Sequence, residues 1–188
     1  LGVFAKEKDI NLSVALKLGE LIEKQHADVI VLYTRDKDIY MTVGERPKFA
    51  NDHHADLFIS IHVNASVNKA VAGAETYTLG VAKSQENLEV AMLENSVILL
   101  EDDYKQKYQG FDPNSIESYI MFEFMQDRYL EHSIKFASFI QNQLISVGTR
   151  RDRGVKQAGF LVLKNTAMPS VLVELGFMSN EKDLELLQ

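Results

Sequence analysis

Ala55-Asp56-Leu57-Phe58-Ile59-Ser60-Ile61-His62-Val63-Asn64-Ala65 reads as a buried strand over residues 56–63 that gives way to a polar loop. Leu57, Phe58, Ile59 and Ile61 make its apolar body. Upstream, Ile10, Leu12, Val14, Ala15, Leu18, Leu21 and Ile22 recur at helical spacing and predict a helix over 9–25. The β-branched run 29–33 predicts a strand, and 42–53 a short helix with Val43, Phe49 and Ala50 on its apolar face. Downstream, 73–79 reads as a strand in which Ala74, Thr76 and Thr78 alternate with Glu75, Tyr77 and Leu79. Residues 160–163 and 170–175 are strand-like, and 181–187 form a closing helix capped by Ser179 or Asn180. Strand, helix and strand with short connections give an α/β fold: a twisted, mixed, mostly parallel sheet with helices on both faces.

Between the two halves, 84–100 is helical in pattern, 102–115 is a polar loop with Gly110 and Pro113, and 116–147 returns to helical spacing. The 188 residues suit one domain with one sizeable core. A net charge of −7 without a basic cluster argues against nucleic acid, whose phosphates need Lys and Arg. No apolar run is long enough for a membrane span. With no cysteine, thiolate chemistry is excluded, and any metal must be held by His and carboxylates. The chain begins at Leu1 rather than Met, which implies a processed or trimmed product.

Three residues are candidates for chemistry. His62 stands at the carboxyl end of a strand, where open α/β sheets gather their ligands; it reads either as a metal ligand or as a structural histidine bonded to backbone. Glu174 ends the apolar run Val171-Leu172-Val173. A buried carboxylate is costly unless compensated, so it is either a general base with a raised pKa or half of a buried ion pair with an arginine. Glu7 opens a helix, where an acid is favoured by the helix dipole whatever else it does. His26, His53, His54 and His132 lie in polar contexts and read as surface residues.

The order of Lys6-Glu7-Lys8-Asp9-Ile10-Asn11-Leu12, Thr34-Arg35-Asp36, Glu45-Arg46 with Ala50-Asn51, the stretch 55–65, Gly73-Ala74-Glu75 and Pro169-Ser170-Val171-Leu172-Val173-Glu174-Leu175-Gly176-Phe177-Met178-Ser179-Asn180 resembles the zinc-dependent N-acetylmuramoyl-L-alanine amidases of bacterial cell-wall remodelling. The resemblance implies Zn2+ as cofactor, Glu7 and His62 as ligands and Glu174 as the catalytic carboxylate. It implies hydrolysis of the amide between N-acetylmuramic acid and L-alanine of peptidoglycan, in the periplasm or cell envelope, for wall remodelling or daughter-cell separation. Asn64, beside His62, reads either as a residue that orients the ligand or touches substrate or as an ordinary loop-forming Asn, and Arg46 as one that pairs with an Asp or binds substrate. The family's remaining ligand, a glycine-flanked histidine on its first strand, lies upstream of Glu7 and is not in this sequence. The expectation is therefore one amidase domain over 1–188 that lacks its first strand and, as it stands, binds zinc poorly and is inactive.

The resemblance extends to division-associated members with an extra helical segment over the active site. This implies a regulatory insertion at about 84–132, a protein activator, and an autoinhibitory carboxylate for which Glu94 is the candidate. Two alternatives stay open: a zinc peptidase cutting stem peptides, and a metal-free peptidoglycan-binding or regulatory domain.

Overall fold

The apolar runs around Phe58 and Val171 pair as neighbouring strands, and the sheet is built outward from them. The computed structural model describes residues 6–123, 125, 127–147 and 150–188. Among these, β1 (Phe58–Asn64), β2 (Ala74–Leu79), β3 (Asp152–Ala158) and β4 (Ser170–Phe177) form one sheet in the order β1-β4-β2-β3. β1 is parallel to β4 and β2 to β3, while β2 and β4 are antiparallel. β4 is buried throughout, which is why its sequence is a near-continuous apolar run rather than an alternation.

The two sides of β4 feed two cores. Val171, Val173 and Leu175 join Val63, Ile10 of helix α1 (Glu7–Gln25) and Ala137, with Leu184 and Leu187 packed alongside. Leu172 joins Phe58, Tyr77, Leu79, Val43 and Ala50 on the other face, together with Val90, Ile98, Phe111, Tyr119 and Phe122 from the middle of the chain. That second face is covered by α2 (Glu45–Asp52), α3 (Gln85–Asn95), α4 (Tyr104–Lys107) and α5 (Ile116–Tyr119), and the first also by α6 (Leu130–Ser146) and α7 (Glu181–Leu187).

Two expected strands are not formed. Residues 29–33 are irregular and largely exposed, with Ile30 at 83%. They lie along α1, where Val31 N–H donates to Glu23 Oε1 at 3.3 Å. A strand exists only through a ladder partner, and no strand of the described residues pairs with this run. Residues 160–163 are a buried turn rather than a strand. A short apolar run reports burial, not extension. The strand is β3 just before it, whose half-exposed polar residues hide the pattern.

The polar stretch 102–115 is more ordered than a free loop. It contains α4 and closes around buried Glu101, whose carboxylate accepts Tyr40 O–H at 2.9 Å, Val43 N–H at 3.0 Å and Tyr108 O–H at 2.8 Å. Asn95, at the end of α3, donates to Gly159 O at 2.8 Å and accepts Leu161 N–H at 2.9 Å, which ties α3 to the turn after β3.

The closing helix begins at Asn180, one of the two expected caps, which accepts the N–H groups of Lys182 and Asp183. Buried Asp183 then accepts Gly73 N–H at 2.8 Å and Phe177 N–H at 2.9 Å, fixing the entry to β2 and the end of β4. Asp183→Ala leaves two buried donors without acceptors and is expected to cost about 2–4 kcal/mol. Urea titration should show a clear fall in midpoint, against a shift within about 0.5 kcal/mol for the exposed Lys182→Ala. An unchanged midpoint for Asp183→Ala would contradict this role.

Candidate active site

Strand register brings three ionisable residues onto one rung. His62 on β1 pairs with Glu174 on β4, and Glu174 pairs with Glu75 on β2. Side chains on neighbouring strands at one rung share a face. Here it is the face covered by α3, opposite the one that carries Val171 and Val173.

His62 is the meeting point. Its Nδ1 lies 3.2 Å from Glu7 Oε1, which reaches over from the first turn of α1, and 2.6 Å from Glu94 Oε2, which descends from α3. Its Nε2 lies 3.0 Å from Ser60 Oγ. Burial opposes charge on the imidazole, but Glu94 and Glu7 outweigh it and hold its pKa well above the ordinary value. Burial likewise opposes charge on Glu7, yet His62, Asn11 and the Val63 N–H keep its pKa below the usual carboxylate range. The pocket therefore favours positive charge at this point. One atom each from Glu7, His62 and Glu94 lie within 4.8 Å of one another, and one nitrogen with two oxygens is a donor set that fits Zn2+.

Glu174 differs from every other acid here. It is fully buried, and neither carboxylate oxygen has a hydrogen-bond partner. Burial, with Glu94 and Glu7 adding to it, raises its pKa well above the usual value, and His62 only partly offsets this. No arginine pairs with it among the described residues, so the buried ion-pair alternative does not hold.

Glu75 is equally buried but fully compensated. It accepts from Asn64 Nδ2 and Tyr77 O–H, both at 3.0 Å, and from Arg153 Nε at 2.8 Å and Lys156 Nζ at 2.6 Å. Asn64 is thus buried beneath the rung, its side chain bonded to Glu75 and to Ala65 N–H. Arg46 forms no ion pair with an Asp among the described residues; its Nε donates to Met41 O at 3.2 Å. The other four histidines are exposed, as their contexts suggest.

The cation cluster around Glu75 was not legible in the sequence, for a geometric reason. Arg153 and Lys156 are three apart, which in a regular strand puts them on opposite faces. A β-bulge at Arg153-Gly154 inserts one residue between the pairs Ala74–Asp152 and Thr76–Val155. Gly154, at φ +80°, permits it, and both cations reach Glu75. The only advance sign is the glycine itself within a polar strand.

Residues 2–188 match the family model described as N-acetylmuramoyl-L-alanine amidase (Amidase_3). The chain belongs to this amidase family. It is 32% identical over 180 residues to the N-acetylmuramoyl-L-alanine amidase AmiC of Escherichia coli, a match covering 95% of this chain and 42% of AmiC. It is 33% identical over 181 residues to the uncharacterized protein YqiI of Bacillus subtilis, covering 96% of this chain and 64% of YqiI. The crystal structure of an N-acetylmuramoyl-L-alanine amidase from Clostridium difficile 630 superposes with a TM-score of 0.66 at 26% identity, over 97% of this chain and 73% of that one. The chain therefore spans less than two thirds of the length of these two sequence relatives.

The amidase rung carries a stability cost that can be measured. Because the folded pKa of Glu174 is raised, its contribution to stability is present below the ordinary carboxylate pKa and lost as pH rises through the raised value. In chelator-treated protein at neutral pH, Glu174→Gln should raise the thermal midpoint and flatten its fall with pH. A lowered midpoint would mean that the carboxylate has a compensating partner.

Proposed function

We propose that this chain is the catalytic part of a zinc-dependent N-acetylmuramoyl-L-alanine amidase. It hydrolyses the amide between N-acetylmuramic acid and the L-alanine of the stem peptide, outside the cytoplasm, in cell-wall remodelling or daughter-cell separation. The observation that carries this reading is Glu174: a buried, unpartnered carboxylate on the same rung as His62, in a chain of the amidase family.

Glu7 and His62 would hold the ion. Bound zinc lowers the pKa of water and polarises a carbonyl. The remaining work belongs to the chain. Glu174 takes a proton from the attacking water and delivers it to the leaving amine, tasks suited to a carboxylate whose pKa is raised. Because it has no competing hydrogen bond, nothing must be broken before it acts. The apolar strands around it keep bulk water away.

Glu94 is read as autoinhibitory, with residues 84–132 as a regulatory insertion. Its Oε2 lies 2.6 Å from His62 Nδ1, so it would be a further ligand to the ion that Glu7 and His62 hold, in the place of a water. Two surface cavities, of about 220 and 310 Å³, are lined wholly or partly by this segment, and neither touches Glu7, His62, Glu94 or Glu174. An activator that displaces α3 would remove Glu94 from His62.

The test uses the full-length protein, zinc and purified peptidoglycan, with product analysis. Intact stem peptides with a free L-alanine amine, and glycan with free muramic acid carboxylates, support the amidase; shortened peptides would point to a peptidase instead. Glu174→Gln should lower kcat by about 10²–10⁴-fold with zinc retained. Glu94→Ala should raise it several-fold. Undiminished cleavage in Glu174→Gln would remove it from the mechanism, and no gain in Glu94→Ala would remove the autoinhibitory role.

A further inference from the structure

Arg153 and Lys156 each lie over an aromatic ring as well as donating to Glu75. The Arg153 guanidinium stands 5.1 Å from the centre of the Phe177 ring, and Lys156 Nζ stands 5.8 Å from that of Tyr77. Their side chains are only 13% and 17% exposed. Two cations meet one buried carboxylate, which leaves one positive charge over. Glu86, in the first turn of α3, takes it up: its carboxylate pairs with Arg153 and lies 3.9 Å from Lys156 Nζ. Glu86 is 54% exposed, unlike Glu75, and it belongs to the same helix that carries Glu94.

We propose that Arg153 and Lys156 form a carboxylate-recognition subsite for the substrate peptide, and that Glu86 is the internal carboxylate that substrate displaces. This rests on the amidase reading above and adds a specificity element to it. Both cations reach back from β3 to Glu75 Oε2 on β2, so their charged ends lie about one strand spacing, roughly 5 Å, from the strand that bears Glu174. An extended peptide covers that distance in one to two residues, at roughly 3.4 Å each. The group recognised is therefore a free carboxylate on the residue that follows the one at the scissile amide. The arginine suits it, since a planar guanidinium pinned on an aromatic face and on Glu75 presents its remaining N–H groups without losing further side-chain freedom. The bulge at Gly154 is what sets both cations on the catalytic face. The arrangement also links the two acids of α3. A substrate carboxylate that displaces Glu86 frees one attachment of the helix that holds Glu94 over His62.

The test is binding rather than turnover. N-acetylmuramoyl-L-alanyl-D-glutamic acid and its diamide are titrated calorimetrically into the full-length protein and its Glu86→Gln variant, both carrying Glu174→Gln so that neither ligand is cleaved during the titration. Glu86→Gln removes only the exposed partner and leaves Glu75 compensated, so the fold is kept. The acid should bind Glu86→Gln several-fold more tightly than wild type, with a preference over the diamide that fades at high salt. The diamide should bind both proteins equally. Arg153→Gln in the Glu86→Gln background, checked for folding by circular dichroism, should abolish the preference. Equal affinity of acid and diamide for Glu86→Gln would overturn the subsite while leaving the amidase reading intact. Failure of both ligands to bind either protein would overturn the subsite, and peptidoglycan cleavage would then decide the amidase reading separately.

Discussion

A carboxylate without a partner, Glu174, sits at the centre of the sheet, and the surrounding structure exists in a form that tolerates it. Taking a charged carboxylate out of water costs several kcal/mol unless hydrogen bonds or cations repay it. Here none do directly, so the strand that bears Glu174 must be secured from elsewhere. β4 is central, buried on both faces, paired on both edges, and fastened at its end by Asp183. The two apolar cores that grip it from either side supply the stability that its own polar residue takes away.

The neighbouring rung position shows what compensation looks like. Glu75 is as deeply buried as Glu174 yet has four donors around it, two of them cations. Two acids one strand apart thus have opposite surroundings, and under the proposed function that contrast separates a structural acid from one available for proton transfer. On the reading proposed above, the pattern recurs in α3. Glu94 and Glu86 both face groups that a substrate complex would need, one at His62 and one at Arg153. A single helix would then cover the metal-binding point and the peptide-binding point together.

Much of this was legible in the sequence. The strand ending at His62 and the strand ending near Glu174 announce themselves as apolar runs closed by a polar residue, and the α/β architecture follows from them. Glu7 is a weaker case, because an acid at a helix start has an ordinary explanation; only the ordered motifs of the family raise it. Glu94 was one of several acids on a helical stretch, and its position against His62 depends on how α3 lies across the sheet. The misreadings share one cause. Residues 29–33 and 160–163 carry strand-like composition, but composition cannot say whether a ladder partner is present or whether an apolar run turns. β3 was missed because a bulge and polar edge residues break its alternation. The same bulge hid the Arg153–Lys156 pair.

Under the proposed function, Glu7 and His62 form a metal site beside Glu174. The decisive measurement is the zinc content of the full-length natural protein, by elemental analysis against His62→Ala after both are exposed to zinc and dialysed. About one zinc per chain in the wild type, the stoichiometry of a mononuclear catalytic site, and its loss in the folded variant are expected. Folded wild type that retains no zinc, or a variant that retains as much, would contradict this site.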